Sequence, residues 1–232
     1  MTGAGGRLSG ISSMATQHVL AELAADYARL AGMPVSVESV GGVDAAKRVE
    51  AGEPFDFVVL ALDAIERLAS SGRIVSGSRV DVAASGVAIA VAAGAPAPDT
   101  ATEFAVRDAV MNARSIGFST GPSGAHLMRI FQRWGIAEAI KPRLVQAAPG
   151  VPVGKLIANG AVELGFQQLG ELIHLPGIRV VGPLPDSIQT ITTFSAAICA
   201  ASQRRDAAHA WLSFLQSPKA SSAKTRNGMR PA

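Results

Sequence analysis

One turn of the chain gathers small hydroxyl and glycine residues between a short apolar segment and an amphipathic helical pattern. It contains Ser119, Thr120, Gly121, Ser123 and Gly124. Unpaired backbone N–H groups and the partial positive charge at a helix N-terminus favour a bound anion there. Glycine lets such a ligand approach the backbone closely. This turn therefore predicts a binding site for a small anion.

A second turn of the same kind lies near the start of the chain. Ser12 and Ser13 separate a short apolar segment from a long helical pattern, and Gly41 and Gly42 follow the next strand candidate. Both positions offer hydroxyl or backbone N–H donors, although serines before a helix also serve as ordinary helix caps. Two donor-rich turns in one chain suggest a small anion held from two sides.

Three further residues are candidate ligand contacts. Gln167 and Gln168 end an apolar strand candidate, and Val153 opens a short helical pattern. Ligands of open parallel sheets bind beyond the carboxyl ends of the strands, so a polar pair at that point favours a ligand role.

Two histidines stand close to the predicted anion site. His126 follows Gly124 by two residues, and His18 lies about one turn into the first helix. Imidazole is the side chain best suited to carry a proton near neutral pH, so both are candidate catalytic residues if the anion is a substrate. An exposed helix histidine without a role is the alternative reading of each.

Other chemistries fit the sequence poorly. No His, Cys and Asp set has the spacing of metal ligands, and no nucleotide fingerprint is present, so neither a metal nor a cofactor is expected. The Gly-x-Ser-x-Gly turn typical of many hydrolases is missing as well. Cys199 lies in an apolar run, where a structural thiol is the ordinary reading.

Composition limits the partners. Hydrophobic residues make up 48% of the 232 residues, which indicates a globular protein, and aromatic residues only 5%. A scattered net charge of +3 does not suggest a nucleic-acid partner. No apolar run reaches ~18 residues, so no membrane insertion is expected. The chain shows no charged-then-apolar leader, which predicts a cytoplasmic protein, or a periplasmic one if a leader has been removed.

Strand and helix patterns alternate along the whole chain, which predicts an α/β fold with mostly parallel sheets flanked by helices. The strand candidates are residues 7–11, 35–39, 55–61, 87–92, 115–119, 143–146, 164–167, 179–181 and 192–200. The helix candidates are residues 14–31, 45–51, 62–70, 104–112, 124–134, 153–159 and 207–216. Pro and Gly clusters at 94–99 and 182–186 divide the chain into a discontinuous lobe I, 1–93 plus 187–232, and an inserted lobe II, 94–186.

Several segments together resemble the type II periplasmic-binding-protein fold, in the branch of the molybdate-binding proteins. They are the Ser-Ser turn, residues 38–43, 48–59 and 119–124, and Ile157-Ala-Asn-Gly-Ala-Val-Glu-Leu-Gly-Phe-Gln-Gln168. The resemblance implies two lobes with the ligand cleft between them. Residues 79–81, 152–154, 164–169 and 176–182 are similar to aconitate isomerase-like proteins, which share this fold and move a double bond within a tricarboxylate.

Three functions stay open at this point. The chain resembles an isomerase of an unsaturated di- or tricarboxylate, which would need one group to remove a proton and return it. It also resembles the receptor of a molybdate or related oxyanion importer, which would require export. The third reading is a cytoplasmic sensor that binds the same kind of anion without chemistry.

Overall fold

The computed structural model describes residues 6–232 and divides the chain into two compact units. Unit 1 comprises the residues up to Ala84 together with Thr193–Ala232, and unit 2 comprises Ser85–Thr192. The sequence predicted the two crossings at 93/94 and 186/187, in Pro/Gly clusters. In the structure the units divide within the strands Val80–Ala92 and Ile191–Ile198, and each of these strands contributes residues to both units.

The strands are β1 (Leu8–Ser13), β2 (Val35–Val40), β3 (Phe57–Ala61), β4 (Val80–Ala92), β5 (Ile116–Phe118), β6 (Leu144–Gln146), β7 (Leu164–Gln168), β8 (Ile178–Pro183), β9 (Ile191–Ile198) and β10 (Arg230–Pro231). The helices are α1 (Gln17–Ala31), α2 (Gly42–Glu50), α3 (Leu62–Ser70), α4 (Glu103–Asn112), α5 (Pro122–Arg133), α6 (Ala137–Ile140), α7 (Val153–Ala158), α8 (Leu169–Leu172), α9 (Arg205–Gln216) and α10 (Ser221–Arg226).

The sheet of unit 1 has a parallel half and an antiparallel half. Its strand order is β2-β1-β3-β9-β4: β1 pairs in parallel with β2 and β3, whereas β9 runs antiparallel to β3 and β10 antiparallel to β4. All three parallel strands are followed by helical structure at their carboxyl ends. The first turns of α2 and α3 therefore lie at one edge of the sheet.

Helices cover both faces of that sheet because its inner strands are apolar on both sides. Side chains of a strand alternate between faces, and β3 directs Phe57 and Val59 to one cluster and Val58 and Leu60 to another. The first cluster is closed by α1 and α9, which bring Trp211 against the rings of Phe57, Tyr27 and Phe214. The second is closed by α2 and α3.

The sheet of unit 2 is built in the same way. Its order is β4-β7-β5-β6, with β5 parallel to β6 and β7, and with β7 and β8 antiparallel to β4. Apolar residues of α4, α5 and α6 pack on one face, and those of α7 and α8 on the other. The predicted α/β class with helices on both faces is confirmed. The sheets are mixed and not mostly parallel, because β9 pairs with β3, and β7, β8 and β10 pair with β4, in the antiparallel direction.

Candidate functional site

In unit 1, Ser12 and Ser13 end β1 and have different surroundings. The Ser12 side chain is fully buried, and its Oγ shares a hydrogen bond of 2.8 Å with the Ser39 hydroxyl of the neighbouring strand. Ser12 Oγ also donates to the Ser13 carbonyl at 3.2 Å. Ser12 is thus anchored within the sheet.

Ser13 has no such anchor. It is only 8% exposed, yet its Oγ has no hydrogen-bond partner among residues 6–232. It precedes the short 3₁₀ turn Met14–Thr16 and does not cap it with its side chain. An unsatisfied buried hydroxyl costs about 1–3 kcal/mol, and a hydrogen bond to a bound group would remove that cost.

The N-terminus of α2 lies beside Ser13. A Cβ built on Gly42 would stand 3.5 Å from the Ser13 Cβ, and Gly41 is the N-cap of α2 with no side-chain cap. The first N–H groups of a nine-residue helix are unpaired and carry its positive end. The structure therefore brings Ser13, Gly41 and Gly42 together. His18, by contrast, is an exposed residue in the first turn of α1.

In unit 2, a second group of hydroxyls stands at the start of α5. Ser119 Oγ and Ser123 Oγ share a hydrogen bond of 3.0 Å, and the Gly121 N–H donates to Ser119 Oγ at 3.3 Å. Ser123 is 1% exposed, whereas Thr120 is exposed to solvent. Gly124 lets the helix start this close, because a Cβ there would overlap the Ser119 carbonyl oxygen.

Gln167 lies at the same sheet edge as this turn. Gly117 of β5 pairs in parallel with Gly165 of β7, and Ser119 and Gln167 each follow that pair by two residues along the chain. Gln167 is 1% exposed, and its Oε1 accepts the Val153 N–H at 2.7 Å. This bond occupies the backbone donor of Val153, whose side chain is fully buried.

The Gln168 amide is fully engaged inside unit 2. With its nitrogen towards the sheet, it donates to the carbonyl oxygens of Ser85 (3.1 Å) and Gly86 (3.2 Å), and its oxygen accepts from the Thr192 hydroxyl at 2.8 Å. Gln168 therefore connects Ser85 and Gly86, where unit 2 begins, with Thr192, where it ends. As ligand contacts, Gln168 and Val153 stay predictions, with their polar atoms already paired.

Glu171 is a functional candidate that the sequence reasoning missed. The Gln167 Nε2 donates to Glu171 Oε1 at 2.7 Å. Burial raises the pKa of this carboxyl to about 7, although the bond from Gln167 opposes the rise. The spacing Gln-x-x-x-Glu across a strand end and the following turn was the available signal.

His126 lies in the first half of α5, partly exposed. Its Nε2 stands 2.8 Å from the Ile188 carbonyl oxygen. A carbonyl only accepts hydrogen bonds, so Nε2 is the donor of this bond.

No group of three or more His, Cys, Asp or Glu side chains in residues 6–232 is arranged to hold a metal ion. Burial and the nearby Asp56 carboxylate raise the pKa of Cys199 to about 12, which makes this thiol a poor nucleophile. Within the same residues, no helix has the length and apolar character that a membrane crossing requires.

A cavity of about 540 Å³ lies elsewhere in unit 2. It runs beside α4, among Pro96, Pro98, Phe104, Asp108 and Leu164. None of the site residues predicted from the sequence lines it, so it is separate from both groups of hydroxyls.

Comparison with known proteins gives a consistent result. The profile of the family described as bacterial extracellular solute-binding protein matches residues 8–230. The chain is 35% identical to an aconitate isomerase of Pseudomonas sp. over an alignment of 232 positions that covers 97% of this chain and 87% of that protein. It is 28% identical to the molybdate-binding protein ModA of Azotobacter vinelandii over 180 residues, 75% of this chain and 69% of that one.

Solved structures agree on the fold. The periplasmic molybdate-binding protein of Azotobacter vinelandii superimposes with a TM-score of 0.82 at 20% identity, over 97% of this chain and 100% of that one. The resemblance to the type II periplasmic-binding-protein fold, drawn above from five short motifs, is confirmed.

Proposed function

The chain belongs to the bacterial extracellular solute-binding protein family. Within that family we propose that it binds a small organic polyanion and isomerises it. The proposed substrate class is an unsaturated di- or tricarboxylate of the aconitate type. The proposed reaction is a shift of the double bond by allylic proton transfer.

The observation that carries this proposal is the 35% identity to an aconitate isomerase over 97% of the chain. Identity at this level extends over both units and not merely over one motif. Fold alone would not support an enzyme, since one fold hosts many functions.

The donor groups support an anionic ligand. Ser13 offers a buried hydroxyl without a partner next to the N-terminus of α2, and Ser119 and Ser123 stand at the N-terminus of α5. Each hydrogen bond from such a donor to a carboxylate contributes about 1.5–3 kcal/mol. No lysine or arginine is needed for this recognition. That both sets of donors bind the same anion stays a prediction.

The test is a ligand screen by thermal shift followed by NMR. Wild-type protein is melted with cis- and trans-aconitate, citrate, molybdate, tungstate, sulfate and phosphate. A ligand at ~100 times its Kd raises the stability by ~2.7 kcal/mol, which shifts the melting curve visibly. Any unsaturated acid that shifts the curve is then followed by proton NMR in D₂O. Appearance of its isomer supports the proposal, and binding without isomerisation or exchange contradicts it.

A receptor for molybdate or a related oxyanion is the second candidate. The 28% identity to a molybdate-binding protein over 180 residues favours it, and the neutral donors suit an inorganic oxyanion as well. A melting shift with molybdate or tungstate alone would support this function and exclude the isomerase. An importer partner is part of this second candidate only.

The cellular compartment in which the protein acts is a further part of the proposal. The family is described as extracellular, and we propose that the protein acts outside the cytoplasm. The cytoplasmic alternative expected from the sequence stays a prediction. Fractionation of the native host, with an antibody against this protein, distinguishes the two.

A further inference from the structure

Isomerisation of the proposed substrate requires a group that removes a proton from carbon, and unit 2 contains a carboxyl suited to that task. Glu171 lies at the start of the segment after β7, and its Oε1 accepts a hydrogen bond of 2.7 Å from Gln167. The Gln167 amide group cannot rotate by 180° without losing a hydrogen bond, because its oxygen accepts the Val153 N–H at 2.7 Å. The Gln167 amide therefore fixes one oxygen of the Glu171 carboxyl group.

Glu171 shares a sheet edge with the unit 2 hydroxyls. Ser119 directly follows β5, Gln167 lies near the end of the paired strand β7, and Ser123 is bonded to Ser119. Four residues after Gln167, the chain reaches Glu171. Hydroxyl donors for an anion and a carboxyl group thus occur together at the carboxyl ends of two parallel strands, which is where ligands of such sheets bind.

Glu171 is half-buried, and burial raises the pKa of its carboxyl group to about 7. Near pH 7 the group is present both as carboxylate and as acid, as proton transfer in both directions requires.

Neighbouring charges do not account for this behaviour. α8 packs against β7, α7 and β8. The charged residues of these elements are Lys155 on α7 and Arg179 on β8, and both are exposed. Arg179 is bonded to the Ala95 carbonyl. His174 follows α8 and is exposed too.

We propose that Glu171 is the catalytic carboxylate of the isomerase, which removes the allylic proton of the bound polycarboxylate and returns it to the other end of the same three-carbon unit. This inference rests on the proposed function. It assigns the proton transfer to a residue other than the two histidines that the sequence suggested, His126 and His18.

The step balances without any further reactant. The Glu171 carboxylate takes the proton from the CH₂ carbon, and the electron pair of that C–H bond forms a new double bond to the central carbon. The old π pair moves to the far carbon and into its carboxylate. Protonated Glu171 then returns the proton to the far carbon. The substrate has gained and lost one proton, and the enzyme ends as it began.

The experiment compares Glu171→Gln with the wild-type protein and with Glu138→Gln. Glutamine keeps the shape and can still accept the Gln167 bond, but it cannot carry the proton. Glu138 is an exposed carboxylate of unit 2 that pairs with Lys141. Turnover of cis- and trans-aconitate and hydrogen–deuterium exchange of their CH₂ protons are followed by NMR, and binding by thermal shift.

We expect Glu171→Gln to lower turnover and exchange by about 100-fold or more and to keep the aconitate-induced melting shift. Glu138→Gln should match the wild type. Turnover by Glu171→Gln within a few-fold of the wild type overturns the inference and leaves the proposed function standing. Wild-type protein that neither isomerises nor exchanges aconitate overturns the proposed function, and the inference with it. The thermal melt of Glu171→Gln, which should be at least as stable at pH 8, shows that lost turnover is not lost folding.

Discussion

At the scale of single residues, the clearest feature is the contrast between two adjacent serines. Ser12 is anchored to Ser39, whereas the buried Ser13 hydroxyl has no partner in the part of the chain described. Of the two serines, Ser13 is therefore the better position at which to test the proposed binding role.

Ser13→Ala should weaken binding of the ligand without destabilising the protein. Loss of one charge-assisted hydrogen bond of about 1.5–3 kcal/mol raises Kd by roughly 10-fold or more. The free energy of unfolding should stay the same or rise, since no internal bond is lost. Isothermal titration with the ligand found in the screen and urea unfolding measure the two effects.

Ser213→Ala is the matched control for this variant. Ser213 is an exposed serine of α9 in the same unit, so both quantities should equal those of the wild type. If Ser13→Ala binds the ligand as tightly as the control does, Ser13 is outside the binding site.

At the scale of elements, the start of α5 depends on close packing of backbone against backbone. Gly124 lies against the Ser119 carbonyl, and this contact brings Ser123 within hydrogen-bond distance of Ser119. The helix N-terminus and both hydroxyls are thus positioned by one residue without a side chain.

Gly124→Ala should therefore disturb the turn. The added methyl group has to displace the Ser119 carbonyl, at a cost of about 1–3 kcal/mol, and anion binding should fall at least several-fold. Gly182→Ala is the control, because a Cβ at Gly182 meets no atom within 4 Å. Thermal melts with and without ligand compare the two. Equal melts would mean that the turn adapts and does not depend on Gly124.

The sequence predicted best the helices and strands whose apolar residues recur at a regular period. Strands such as β3 and β7 and helices such as α1 and α5 follow clear apolar periods and were predicted within a few residues. The first half of β4 was missed because Asp81 and Ser85 interrupt its apolar run. The structure explains these polar residues locally: the Ser195 hydroxyl donates to Asp81 at 2.7 Å. Four-residue α8 is too short to show a period at all.

Site residues were predicted from their place at strand ends, which the sequence pattern indicates. The sequence pattern does not indicate which groups their side chains contact. The spacing Gln-x-x-x-Glu permits a bond between Gln167 and Glu171 but does not establish it. Nothing in the sequence indicates that Gln167 bonds the Val153 N–H, because that contact depends on how α7 packs on β7. Glu171 therefore emerged only from the three-dimensional arrangement.

At the scale of the whole molecule, Glu171 connects stability to pH. Its pKa is about 7 in the folded state against an ordinary value of 4.5. Between these two values the folded protein binds more protons than the unfolded chain, so its stability falls as pH rises from about 4.5 to about 7. Above that range the loss is complete, and at most about 3 kcal/mol.

Glu171→Gln should remove this dependence. The variant should match the wild type near pH 4 and exceed its stability at pH 8, with the difference growing between the two. Urea unfolding at pH 4, 6 and 8 measures it. A constant difference across the three pH values would show that the carboxyl has an ordinary pKa.

The two tryptophans of the chain are distributed one to each unit, and this gives the protein two built-in optical probes. Trp211 of unit 1 is fully buried among aromatic rings, and its indole N–H has no acceptor within residues 6–232. Trp134 of unit 2 is partly exposed and donates to Glu103 at 2.6 Å. Trp211 should emit at shorter wavelength than Trp134. The emission spectrum, resolved with Trp→Phe variants at each position, would then report separately on each half of the molecule as it melts or meets its ligand.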